Sequence, residues 1–292
     1  MEDIVLGYIT YLKKKKLSES TIESYKRDLN KYVSFIKEKD EDLKEADDIT
    51  IMAFIQNLLR EKISNSSINR NIVTIRGFYK YLYKKGIIDS SPVISYDLPK
   101  VERNLPETLT IEEVEKLLSM PDLDTEKGIR DKAMLELMYA TGMKVTELIN
   151  LTIFDINLKM NYIKCKGTKD KERVIPLGSV AVRCIEKYLE SRNLYVVPDN
   201  NLLFFNSRGH KMTRQGFWKI VKEYVEEAHL DKHVNLYTLR HSFAVHLLEN
   251  GADIKSVQEL LGHVDLSATQ IYSSITKKNK LAEVYKNAHP RA

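Results

Sequence analysis

What most limits the fold of this chain is an interruption. Between Ser90 and Thr110 the helical spacing of apolar residues stops, and Pro92, Pro99 and Pro106 punctuate the gap. Proline fixes φ and removes a backbone donor, so a segment carrying three of them is a tether and not an element. The chain of 292 residues that it divides suffices for two separate cores. The expected division is a helical unit over 1–88, a linker over 89–109 and a second unit over 110–292.

The first unit has the 3.6-residue period of amphipathic helices. Ile4, Tyr8, Ile9 and Leu12 repeat at helical spacing, and Lys13–Lys16 place positive charge at the C-terminal end of that dipole. Ser18 or Ser20, with Glu23, announces a second helix that turns Tyr25, Leu29, Tyr32, Val33 and Ile36 inward. A third is expected over Ile49–Leu59 with Thr50 as its cap. A fourth is expected from Ile68 to Tyr83, introduced by Ser66-Ser67 and ended by Lys84-Lys85-Gly86. Four short helices of this kind make a small bundle. Its expected surface is basic, with Lys26 and Arg27 on one helix and Arg70, Arg76 and Lys80 on another, interleaved with Tyr79 and Tyr83. Lys100 and Arg103 make the linker a basic tether, suited to a clamp that closes around a duplex.

The second unit is again mostly helical. Thr110 caps a helix opened by Ile111-Glu112-Glu113, and further helices are expected at Ser179–Ser191, Thr213–Ala228, Tyr237–Glu249, Asp253–Leu261 and Ser267–Ile275. The exception is a β-hairpin, with Met160–Lys166 as one arm, Gly167–Asp170 as the turn and Lys171–Leu177 as the return. The fold class is therefore mainly α with a small hairpin or sheet.

Composition sets outer bounds. A net charge of +5 suits a nucleic-acid binder whose basic residues share a face. Cys165 and Cys184 are too few and too isolated for a disulfide framework or a zinc site. No apolar run approaches a membrane span, and Glu2 and Asp3 open no signal peptide. The expected setting is a reducing cytoplasm, with no membrane partner.

The chemistry sits in the last quarter. Tyr237-Thr238-Leu239-Arg240-His241 is followed by Leu260-Leu261-Gly262-His263 and then Tyr272. Arg240 can fork two hydrogen bonds onto non-bridging phosphate oxygens. His263 can donate another or move a proton, and Tyr272 carries a hydroxyl able to attack phosphorus. No carboxylate cluster suited to magnesium accompanies them, which points to covalent chemistry with no cofactor and no metal. His241, beside Arg240, points elsewhere on the helix and is assigned a structural role.

This pattern resembles the tyrosine recombinases of the phage integrase family, and the closing His289-Pro290-Arg291-Ala292 is similar to the C-terminus of the bacterial Xer recombinases within it. The resemblance covers essentially the whole chain. It implies a SAM-like helical core-binding domain before the linker, a catalytic domain after it, and Tyr272 as the nucleophile of a 3′-phosphotyrosyl intermediate. Strand exchange of that kind conserves the bond energy and calls for neither ATP nor metal.

Three positions depart from the family pattern. Thr141-Gly142-Met143-Lys144-Val145-Thr146-Glu147-Leu148 is similar to Thr-Gly-x-Arg-x-Ser-Glu-Leu, with Lys144 where the family has arginine. Lysine keeps the charge and loses the planar fork; Glu147 is expected to support the phosphate clamp. Tyr237 replaces a histidine three residues before Arg240, and a phenol can still donate one hydrogen bond. The family's hairpin lysine, which protonates the leaving 5′ oxygen, falls on Thr168 in a gapless match. Lys169 is then the better-placed general acid, with Lys166 second.

The resemblance further implies double-stranded DNA as partner, two protomers on each recombination site and a homo- or hetero-tetramer at synapsis. A second Xer-type recombinase and a DNA translocase are further partners of the Xer role in resolving chromosome or plasmid dimers. Lys277–Ala292 would dock on the neighbouring protomer. Two other readings stay open. One is a DNA-binding paralogue with weakened chemistry, motivated by Lys144, Thr168 and Tyr237 together. The other is the integrase of a mobile element, disfavoured because the chain opens directly on the core-binding pattern.

Overall fold

The computed structural model describes residues 2–92, 106–167, 172–192 and 201–262, together with Thr269 and Tyr272. It divides into two compact units, residues 1–103 and 104–292.

The first unit is a bundle of α1 (Glu2–Lys14), α2 (Glu19–Glu38), α3 (Asp48–Arg60) and α4 (Asn65–Lys84). Its core is made by the apolar face of each helix, with Leu29, Tyr32, Ile36, Phe54, Ile55, Ile72, Ile75 and Phe78 all but sealed from solvent. Two helix starts differ from the expectation. Asp47, not Thr50, caps α3, and its Oδ1 accepts from the Thr50 N–H at 2.8 Å. Ser64, not Ser66 or Ser67, caps α4 and accepts from the Ser67 N–H. In both cases the earlier residue has extended backbone and a short acceptor side chain. It can therefore satisfy the first unpaired amides, and the helix begins there.

Several polar groups are buried in this bundle. Tyr32 and Tyr79 share a hydroxyl–hydroxyl bond of 2.8 Å, and the Tyr79 hydroxyl also donates to the Leu43 carbonyl at 3.1 Å. Asp28, 2% exposed, accepts both arms of the Arg70 guanidinium at 2.8 and 2.9 Å, which braces α2 against α4.

The second unit comprises α5 (Ile111–Ser119), α6 (Glu126–Thr141), α7 (Val145–Leu148), β1 (Ile156–Asn157), β2 (Tyr162–Lys166), β3 (Glu172–Pro176), α8 (Ser179–Arg192), α9 (Arg214–Glu227), α10 (Thr238–Glu249) and α11 (Ile254–Leu261). Thr110 and Glu113 form the capping box that opens α5. The strands make an antiparallel sheet in the order β1-β2-β3, with Ile163 opposite Ile175 and Cys165 opposite Arg173. The expected hairpin is thus β2 and β3, widened by the two-residue β1. Ile163, Cys165 and Ile175 face the core while Lys164, Lys166 and Val174 face outward, as the two-residue period of a strand requires.

The central helix α6 has no polar stripe: Ala133, Met134, Leu135, Leu137 and Met138 are all buried. It ends at Gly142, whose φ of 56° is left-handed. A Cβ there would lie 2.3 Å from a ring carbon of Phe243, so only glycine lets the end of α6 approach α10 this closely. The same device closes α11 at Gly262, φ 64°, where a Cβ would meet the Arg173 guanidinium at 2.9 Å. Phe243, Ala244, Val245, Leu248, Val257 and Leu261 form a satellite apolar cluster, and Tyr272 packs into it. Among the described residues no helix is long and apolar enough to cross a membrane.

Candidate active site

Arg240 lies in the first turn of α10 and is 3% exposed. One guanidinium nitrogen donates to the Gly142 carbonyl at the end of α6, and another donates to the Leu261 carbonyl at the end of α11, at 2.8 Å. Both carbonyls belong to helix C-termini, the negative ends of their dipoles, which compensates a buried cation. Burial lowers the Arg240 pKa, with Glu147 and Tyr272 opposing; a guanidinium keeps its proton regardless. The two left-handed glycines therefore set the plane of the guanidinium by setting the carbonyls it is hung from.

Tyr272 is 2% exposed. Its hydroxyl lies 2.8 Å from Nδ1 of His241, with ring centroids 5.6 Å apart. Burial raises the phenol pKa, and the nearby Arg240 charge opposes that rise. The His241 imidazole is pushed down to about 4, first by burial and then by Arg240. The expectation that His241 points away from the site is therefore corrected. A helical wheel separates positions 240 and 241 by 100°, but Tyr272 comes from a later segment and meets the helix on the His241 side.

Glu147, in α7, holds the opposite wall. Its carboxylate accepts both arms of Arg173 at 3.0 and 2.8 Å and the Lys144 backbone N–H at 2.8 Å. Arg173 Nε also donates to the Leu260 carbonyl at 2.7 Å, so this one side chain joins β3, α7 and the end of α11. Burial alone would raise the Glu147 pKa; the Arg173 bonds and the Lys144 N–H outweigh it, and the carboxyl is held below its ordinary value. Both oxygens of Glu147 are thus engaged by Arg173 and the Lys144 backbone. Arg173 went unassigned in the sequence, although Arg173, Ile175 and Leu177 share the inward face of a period-2 strand. An arginine in that row was the available signal.

Lys144 precedes α7 and is half-buried. It lines a cavity of about 260 Å³ together with Glu147, Asp155, Lys164 and Lys166. Tyr237, the residue before α10, is 45% exposed. Arg214, at the start of α9, donates to its hydroxyl at 3.0 Å and lies 5.5 Å from its ring centroid. A guanidinium can only donate, so the phenol oxygen is the acceptor and the Tyr237 proton is directed to some other group. Arg214 is a second residue that the sequence reading missed.

Of the expected site residues, the structure thus brings together Arg240, Tyr272, Tyr237 and, across Glu147, Lys144, with Lys166 on the same cavity as Lys144. His263 and Lys169 lie outside the described residues, as do Lys100 and Arg103 of the linker and all of the expected Ser267–Ile275 helix except Thr269 and Tyr272. In the first unit Lys26, Arg27, Arg76 and Lys80 are exposed. Arg70 is exposed as well, with its side chain 43% accessible, and two of its guanidinium nitrogens also bond Asp28. Tyr79 is buried in the core, which leaves Tyr83 as the exposed aromatic of α4. Among the described residues no group of three or more His, Cys, Asp or Glu is placed to hold a metal ion.

Known proteins resemble this chain along its whole length. The model of the phage integrase family matches residues 107–279, and that of the phage integrase N-terminal SAM-like domain matches residues 5–86. A curated relative from Listeria innocua serovar 6a, named Tyrosine recombinase XerD, is 46% identical over 301 residues, covering 100% of both chains. One of the same name from Staphylococcus haemolyticus is 42% identical over 296 residues, again covering 100% of both. Among solved structures, XerH site-specific recombinase bound to palindromic difH substrate, a post-cleavage complex, aligns with a TM-score of 0.76 at 26% identity. That alignment covers 90% of this chain and 79% of the other. XerA recombinase aligns with a TM-score of 0.55 at 25% identity over 100% and 99% of the two chains.

Proposed function

The chain belongs to the phage integrase family, and on that premise we propose that it cuts and rejoins duplex DNA at a specific site through a covalent link to Tyr272. The observation that carries the proposal is the juxtaposition of a buried phenol with a buried guanidinium whose charge acts on it. Arg240 holds the non-bridging oxygens of the scissile phosphate, because two helix C-termini orient its plane toward one place. The Tyr272 oxygen attacks phosphorus, the bond to the 5′ oxygen breaks, and a 3′-phosphotyrosine remains. Lys144 and the Tyr237 hydroxyl supply further donors, and His263 follows the glycine that ends α11. Lys169 or Lys166 protonates the leaving oxygen. Religation by a partner strand's 5′-hydroxyl reverses each step.

DNA is held by the two units in turn. Lys26, Arg27, Arg76 and Lys80 contact phosphates from the first, and Lys100 and Arg103 from the tether. The functional division is the helical DNA-binding domain over 1–88, the linker over 89–109 and the catalytic domain over 110–292. Two protomers occupy a site and four form the synapse, with Lys277–Ala292 reaching the neighbour. The relatives named XerD favour the role of resolving chromosome or plasmid dimers, with a second Xer-type recombinase and a DNA translocase as partners.

A nicked suicide duplex carrying the recombination site tests this reading in EDTA. The expected product is a denaturation-resistant adduct on the 3′ side of the break with a free 5′-hydroxyl opposite. Lys144 favours one second reading, a paralogue that binds and does not cut; tight binding with no adduct is its signature. A 5′-bridging phosphorothiolate separates the two lysines, since a thiolate leaves without an acid. The substitution to alanine that sulfur rescues marks the general acid.

A further inference from the structure

Nucleophilic attack by Tyr272 needs somewhere for its proton to go, and burial makes the problem worse. A phenol already titrating near pH 10 is raised further, with Arg240 returning only part of the shift. Hydroxide from solvent is a poor answer for an oxygen that is 2% exposed. A base stands at bonding distance among the described residues: Nδ1 of His241, 2.8 Å from the hydroxyl. We propose that His241 is the general base of the cleavage step, accepting the Tyr272 proton on Nδ1 as the phenol oxygen bonds to phosphorus. This inference rests on Tyr272 being the nucleophile.

The step balances within the site. One oxygen–phosphorus bond forms and the bond to the 5′ oxygen breaks. The tyrosine proton passes to His241, and the leaving oxygen takes a proton from the lysine acid. In religation the imidazolium returns its proton to the departing phenol, so no proton is exchanged with solvent.

Three features suit His241 to this task. Its distance to the hydroxyl falls in the range over which general bases act. Its imidazole is neutral at physiological pH, because burial and the adjoining Arg240 hold its pKa near 4. Among the described residues, its neighbours that can carry charge or titrate include Arg240 and Tyr237 on its own segment and Tyr272 from the later one, with Arg214 behind Tyr237. None of these is a carboxylate that would pre-load it with a proton. A bound phosphate would then change the balance. Its negative charge offsets Arg240, so imidazole basicity rises when the substrate arrives, and the proton moves only with DNA in place.

The test separates a base from a residue that merely holds the tyrosine. In His241→Ala the acceptor is gone. In His241→Asn an amide occupies the position of Nδ1, so a hydrogen bond to the phenol is kept while proton uptake is lost. Single-turnover cleavage of the suicide duplex, DNA affinity and melting temperature are measured for both on the full chain. The expected outcome is a rate about a hundredfold or more lower in both variants. Affinity and melting are unchanged, and added imidazole restores the alanine variant but not the asparagine one. Wild-type rate in His241→Asn would reduce His241 to positioning and overturn the proposal. An unchanged rate in His241→Ala, or a slow one that imidazole does not restore, would overturn it as well. A wild-type chain that forms no Tyr272 adduct removes the underlying reading, and this inference with it, before either variant is compared.

Discussion

Replacing Arg173 with alanine should unfold the second unit far more readily, and the amount follows from what the side chain touches. Arg173 and Glu147 are 13% and 6% exposed and share two hydrogen bonds, and Arg173 makes a third to the Leu260 carbonyl. Deleting the guanidinium leaves a buried carboxylate with the Lys144 N–H as its remaining backbone donor. Removing one partner of a buried pair costs about 3–5 kcal/mol, because the surviving charge has lost both water and its counter-ion. At about 2–4 °C per kcal/mol for a unit of this size, the midpoint should fall by roughly 6–20 °C. The assay is the tryptophan-selective fluorescence of the full chain, excited where tyrosine does not absorb. Trp218 is its one tryptophan and lies in α9, so the signal reports the second unit alone. The pH dependence carries its own sign. Glu147 is depressed in the native protein, so its pairing contributes stability above the unfolded carboxyl's titration and loses it as pH falls through the folded value. Without Arg173, burial raises the Glu147 pKa instead, and the gap between wild type and variant should narrow on acidification from pH 7 toward 4. Arg173→Met combined with Glu147→Leu should cost less than Arg173→Ala, since no orphan charge remains. A loss below about 1 kcal/mol, or one identical at both pH values, would refute the reasoning.

Lys144→Arg should raise the single-turnover cleavage rate on the order of a hundredfold by restoring a planar fork, with little change in DNA affinity; an unchanged rate would show that the site compensates. Gly142→Ala should destabilise the second unit by about 2 kcal/mol or more, from left-handed backbone and the clash with Phe243. A smaller shift in the Trp218 transition would mean that α10 can retreat. In the first unit Arg70→Ala should lower stability and leave the salt dependence of DNA binding alone. Lys80→Ala should do the reverse, reducing the log–log salt slope by about 1. Equal salt slopes in the two variants would contradict the split between a brace and a phosphate contact.

Apart from α6 and α10, which are buried nearly all round, the helices were legible because each buries one face, and a 3.6-residue period survives in the sequence even where the cap does not. The caps of α3 and α4 were misplaced because several hydroxyl and carboxylate residues stand in a row at each start. Which of them acts depends on backbone angles that composition does not fix. The strand β1 escaped notice since two residues, Ile156 and Asn157, cannot display a period. At the site, Arg240 and Tyr272 were legible from motif spacing. Arg173, His241 and Arg214 were not, because their partners come from distant segments: Glu147 is 26 residues from Arg173, and Tyr272 is 31 from His241. Arg70 is the converse case: its place among basic residues suggested DNA, and its bond to Asp28, 42 residues away on a neighbouring helix, was not legible.

The measurement that bears most directly on the account is the identity of the residue that carries the DNA. The adduct formed on a suicide duplex in EDTA is digested with trypsin and nuclease, and the nucleotide-bearing peptide is sequenced by mass spectrometry. The account predicts a phosphodiester on Tyr272 and no adduct in Tyr272→Phe. A nucleotide on any other residue, an adduct that survives that substitution, or cleavage that requires added magnesium would contradict it.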